Sequence, residues 1–87
     1  MDKNEKEAFK LSIKLLENLI MLKDYRSKEE IVFLVDSMVA NVEANPEYPK
    51  VVKDAYQLLA RNIEVLEFVD ILELKSILLE EQKENKN

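Results

Sequence analysis

An all-α fold, an antiparallel four-helix bundle, is what this sequence predicts. Three observations predict it. The chain has no glycine, and glycine supplies the backbone positions that tight hairpins and phosphate loops need. Four stretches space their apolar residues three and four apart, the period of a helix buried on one face. Both prolines, Pro46 and Pro49, fall in one central stretch, Glu43 to Leu59 (EANPEYPKVVKDAYQLL), where one helix must stop and another start. The 87 residues make one small domain. A chain of that size removes roughly 60% of its surface from water on folding. With 47% hydrophobic and 36% charged residues, it is too apolar for a disordered chain and matches a helical one.

The spacing predicts helices over about 5–23, 28–44, 49–64 and 70–81. Residues 1 to 4 are polar and expected to fray. In the first helix, Phe9, Ile13, Leu16 and Ile20 share a face that Leu15, Leu19 and Leu22 widen. Lys6, Lys10, Lys14 and Glu17 cover the opposite face. That face mixes both charges, so the helix is read as facing a core rather than a membrane surface. Lys23 to Arg26 form the first connection. Ser27 with Glu30 is a capping box, which opens the second helix. Its main stripe is Ile31, Leu34, Met38 and Val42, with Val35 beside it. Ile31 to Val35 are five consecutive apolar residues, and one helix face cannot take all five. Either the helix is buried between two neighbours, or Val32 and Phe33 form an exposed patch for a partner.

Pro46 disfavours helical geometry at Asn45, and Pro49 does the same at Tyr48. Asn45 suits a helix end, because asparagine tolerates the left-handed conformation. Pro49 suits the first residue of the third helix, where no amide hydrogen is needed. That helix carries Val52, Tyr56, Leu59 and Ile63 as its stripe, with Ala55 at a close approach and Lys53, Asp54 and Arg61 towards water. Glu64 to Asp70 loses helical phase, and Asp70 with Glu73 repeats the N-cap pairing. A fourth helix with Ile71, Leu74, Ile77 and Leu78 follows, then a solvated tail, EQKENKN. The alternative is one helix from Pro49 to Glu81. It would span roughly 50 Å and bury its second half only in a dimer.

The same composition excludes much chemistry. Without His or Cys there is no disulfide, no zinc site of the usual kind, and no Ser-His or Cys-His nucleophile. A di-iron bundle needs Glu-x-x-His pairs. The carboxylate pairs Glu64 with Glu67 and Glu81 with Glu84 fall at a helix end and in the tail, where water solvates them. No catalysis and no cofactor are therefore expected. The net charge of -5 disfavours nucleic acid and anionic lipid. No apolar run reaches the ~18 residues of a membrane span. The first ten residues, MDKNEKEAFK, do not read as a signal peptide. A soluble, cytoplasmic protein working by contact with another protein is the expectation.

The central stretch also carries a resemblance. Asn45, Glu47 and Tyr48, then Pro49-Lys50-Val51-Val52, Leu58-Leu59-Ala60, and Asp70, Glu73 and Leu74 resemble the bacteriocin immunity proteins of lactic acid bacteria. That family protects producers of pediocin-like and lactococcin-like peptides. The likeness covers roughly residues 27 to 80, and the NPEYP hinge is its most specific part. The family usually carries a longer C-terminal tail implicated in recognising the bacteriocin; this chain stops soon after Leu79, so that role is not carried over. The resemblance implies action from the cytoplasmic side, at the inner face of the cell membrane, on a complex of bacteriocin and membrane receptor, the mannose phosphotransferase permease. It implies no chemistry and no membrane insertion, and a monomer is expected. The partner surface expected here is Arg61, Glu64, Glu67 and Phe68, an aromatic residue ringed by charges. The other reading of Phe68 is a plug for the end of the bundle. The other reading of the protein is a small helical regulator or adaptor, dimeric through Val32 and Phe33.

Overall fold

Three of the four helices begin where a side chain can cap them. The structure, a computed structural model, describes residues 2–84. Its helices are α1 (Lys3–Ile20), α2 (Lys28–Ala44), α3 (Lys50–Ile63) and α4 (Ile71–Glu84), with a turn of 3₁₀ helix (Glu64–Glu67) after α3. Asp2 accepts from the Glu5 amide at 2.8 Å, and Asp70 from the Glu73 amide at the same distance. Ser27 and Glu30 form the reciprocal capping box that the sequence predicts. Ser27→Ala is expected to cost about 1 kcal/mol. A chain of this size then melts about 4–8 °C lower, readable by circular dichroism.

The boundaries differ from expectation in instructive ways. Residues 2 to 4 do not fray at the start of α1, because Asp2 with Glu5 is the same cap pairing as Asp70 with Glu73. The α1 helix ends at Ile20 rather than Lys23. The chain tightens there: the Leu22 amide donates to the Leu19 carbonyl, and those of Tyr25 and Arg26 both donate to the Leu22 carbonyl. Asn45 is extended (φ -105, ψ 109) rather than left-handed, as the following proline requires. Its side chain instead accepts from the Glu47 amide at 2.9 Å, turning the hinge. Pro49 is the residue before α3, not its first. The α3 and α4 helices are separate, and α4 runs to Glu84 instead of stopping near Glu81. The last three residues of the expected tail lie outside the described residues.

The four helices make an all-α bundle with no strand among the described residues. Successive helices alternate in direction. Glu17 near the end of α1 pairs with Lys75 near the start of α4, and Gln57 of α3 bonds Glu43 at the end of α2. The extensive packing is not between the two helices of either half of the chain. The α1 helix packs on α3 and α4, and α2 packs on α3, while α1 and α2 share no extensive contact. The molecule is accordingly flattened, 35 × 31 × 18 Å.

That arrangement decides which side chains are buried. Leu16, Val35, Leu59, Ile63, Leu66, Leu74 and Leu78 are shut from water and belong to one cluster drawn from every helix and the 3₁₀ turn. Because α3 lies between α1 and α2, its covered arc is wide: Ala55, Leu58, Leu59 and Ile63 are buried, and the expected Val52 and Tyr56 are half-buried. Because α2 has one extensive partner helix, its covered arc is narrow. Ile31, Val35 and Val42 are buried, while Leu34, expected in the main stripe, is exposed. Ile77 of α4 is likewise exposed. The one buried polar side chain among the described residues, Ser12, donates to the Phe9 carbonyl at 2.9 Å.

A polar latch holds the start of α1 to the start of α3. Asn4 donates to Asp54 Oδ2 at 2.7 Å, and Lys50 Nζ lies 2.7 Å from the same oxygen. Asp54 was expected to face water and is half-buried instead. The Lys50 hydrogen bond, helped by Asn4, holds the Asp54 carboxyl below the usual carboxylate range. Asp2 is lowered too, chiefly by the Glu5 amide. A carboxylate lowered by folding stabilises the fold above its unfolded pKa and ceases to do so as pH falls through the lowered value. Melting temperature is therefore expected to drop as pH is taken below the ordinary carboxylate range. Asp54→Asn should make that acid drop shallower; an unchanged acid limb would mean that the latch contributes nothing.

Candidate interaction surface

The break between α3 and α4 sets the geometry of the exposed end. After Ile63 the chain winds into the 3₁₀ turn, which drives Leu66 into the core, 1% exposed. In a 3₁₀ turn the side chains one and two positions on from a buried residue point elsewhere. Phe68 therefore projects outward and is 82% exposed. It does not plug the bundle; Leu66 does. Glu64 and Glu67, on either side of Leu66, are also exposed.

The four expected partner residues do not form one patch. Arg61 lies on a different groove, lined by Glu5, Phe9, Gln57 and Glu81, where its Nη2 sits 3.1 Å from Glu81 Oε1. Glu64 and Glu67 line a groove shared with α2. Val32, Phe33 and Leu66 form its apolar part, and Lys28, Glu29 and Asp36 complete it. Phe68 follows directly on Glu67.

The five-residue apolar run resolves here. Ile31 and Val35 are buried, Val32 packs partly against the core, and Phe33 is 75% exposed. Burial between two neighbouring helices fails because α3 is the one helix packed extensively on α2, with the 3₁₀ turn beside it. Phe33 thus stands as a ridge between two depressions, one towards the 3₁₀ turn and one towards Leu22 and Leu34.

The same end gathers apolar side chains that the sequence did not single out. The first connection exposes Met21 and Tyr25, and the start of α4 exposes Leu72. Lys23, Asp24 and Arg26 of that connection line a cleft together with Leu66, Asp70 and Leu72. The two connections therefore meet at one end. No local signal in the sequence joins them, since their proximity comes from the packing of α1 and α2 through α3.

Among the described residues no group of three or more Asp or Glu side chains is placed to hold a metal ion. No helix among them is long and apolar enough to cross a membrane. Comparison of the chain with protein-family models, with curated proteins and with solved structures finds no match.

Proposed function

We propose that the protein acts by contact, as a cytoplasmic immunity protein. It protects a producer cell from its own pore-forming bacteriocin by binding the complex of bacteriocin and membrane receptor and blocking the pore. The receptor implied by the resemblance is the mannose phosphotransferase permease. The observation that carries the contact reading is Phe68. A large aromatic side chain held in water by a hydrogen-bonded turn costs solubility and adds nothing to the core. Carried on the same turn as the exposed Glu64 and Glu67, it has the form of an anchor with a polar rim. The NPEYP hinge and the helices after it supply the link to bacteriocin immunity. Arg61, held by Glu81 on another groove, falls outside the proposed surface.

Expression in a sensitive bacterium tests this directly. Survival against one or a few peptides of a pediocin-like and lactococcin-like panel, relative to empty vector, is the expected result. No survival against any peptide, with the protein abundant and folded in those cells, would overturn it.

Phe33 favours a second reading, a dimeric helical regulator. Its exposure leaves an aromatic ridge on α2 free to meet a second copy, with Val32 half-buried beside it. That reading requires a mass and a melting temperature that rise with protein concentration.

A further inference from the structure

The groove between α2 and the 3₁₀ turn has a chemistry of its own. Its apolar part is Val32, Phe33 and Leu66, and its volume is about 660 Å³. Around these stand four carboxylates, Glu29, Asp36, Glu64 and Glu67, and one lysine, Lys28. Six of the other carboxylates are matched by a cation. Asp24, Glu17, Glu30, Asp54, Glu80 and Glu81 each lie within an ion pair. None of the four groove carboxylates does, among the described residues. An apolar strip with an unneutralised acidic margin is complementary to one kind of ligand, an apolar face bordered by cations.

We propose that this groove is the docking site for a basic amphipathic segment of a partner protein. The length of α2 along the groove, Lys28 to Asp36, is roughly 12 Å at the helical rise. That length accepts about two turns of a partner helix. Apolar side chains of the segment lie against Phe33 and Val32. Its lysines or arginines reach Glu29 and Asp36 on one margin and Glu64 and Glu67 on the other.

A second copy of this chain is the weaker occupant. Pairing the groove with itself would set carboxylates against carboxylates, as a two-fold contact demands. The net charge of -5 also holds two copies apart and attracts a basic partner. The face of α1 with Lys3, Lys10 and Lys14 beside Leu11 is a basic-apolar surface that could enter the groove head to tail. Glu7 sits among those lysines, and such a contact would show as mass growing with concentration.

This inference rests on the contact reading above and adds the partner's chemistry. The probe is a synthetic helix of leucine and lysine, roughly four turns long, with its leucines on one face. A scrambled peptide of the same composition and a leucine–glutamate helix are the controls. Binding to the full chain, followed by fluorescence anisotropy, is expected to be saturable for the leucine–lysine helix, weaker by at least tenfold for both controls, and reduced by added salt. Two changes should each weaken it at least tenfold: Phe33→Ser, and Glu64→Lys together with Glu67→Lys. Glu47→Lys together with Glu84→Lys alters net charge equally at sites away from the groove and should leave it within about twofold.

Equal loss in the remote pair would overturn the proposal, because net charge alone would then explain binding. Equal affinity for the scrambled peptide, or concentration-dependent mass with no peptide binding, would also overturn it. Should Phe33→Ser fail to fold, the charge-reversed pair still decides. Running the same variants in the protection assay separates the two claims. Peptide binding without any protection leaves the groove standing and removes the immunity reading. Protection that survives both groove variants removes the groove and leaves the immunity reading.

Discussion

Leu59→Ala is expected to lower the melting temperature by about 12–24 °C. Leu59 has no exposed surface and sits on α3, the helix that both α1 and α2 pack against. Truncation removes its transfer free energy and leaves a cavity that rigid helices cannot close, together about 3 kcal/mol. At about 4–8 °C per kcal/mol for a domain of this length, the shift follows. A chain of this length has a stability of only about 4–13 kcal/mol, so one such change takes a large share of it. Leu34→Ala is the matched control. The sequence pattern alone places Leu34 in the main stripe of α2, but the structure leaves it exposed. Its loss should shift melting by less than a quarter as much. Equal shifts in the two variants would mean that α2 is turned to the core by a different face.

Phe68→Ala is expected to leave stability within about 0.5 kcal/mol and to abolish protection. Its backbone amide still donates to the Val65 carbonyl, so the turn that carries it stays closed. Nothing in the core refills when the ring goes, because Leu66 fills that place. The contrast with Leu66→Ala is the informative part. Leu66→Ala should cost several kcal/mol, in the range of about 2–5 for buried leucine truncations, and lose protection through unfolding. Phe68→Ala should lose protection in a protein that melts normally. Urea titration of both variants beside the protection assay separates these outcomes. Full protection by Phe68→Ala would remove the connection from the binding surface.

What was legible in the sequence was local. Ser27 with Glu30 and Asp70 with Glu73 carry their own geometry, since each cap is closed within four residues. The break between α3 and α4 was legible for the same reason. Asp2 with Glu5 offered the same signature and escaped notice because chain ends commonly fray. What was not legible depended on which helices meet. Leu58, outside the stripe that spacing suggests, is buried, and Leu34, inside it, is exposed, because α3 is covered from two sides and α2 from one. The candidate surface was half legible. Phe68 and its two glutamates are consecutive enough to be seen together, whereas Arg61 is only a turn away in sequence and faces another groove. The contribution of α2 to that groove needs the packing of α2 on α3, which no pattern within either helix encodes.

The pairing of α1 with α3 rather than with α2 also bears on the birth of the molecule at the ribosome. When residues up to Ala44 have emerged, the first half of the chain holds two helices that do not extensively cover each other. The apolar face of α1 must wait for α3, roughly forty residues later than its own completion. At about 5–20 residues per second, that interval lasts a few seconds. During it, Phe9, Ile13 and Leu16 are as available to a chaperone, or to another nascent chain, as they will later be inaccessible. Crosslinking of those side chains to chaperones is expected to peak while the proline-containing hinge is leaving the exit tunnel and to fall once Ile63 is clear of it.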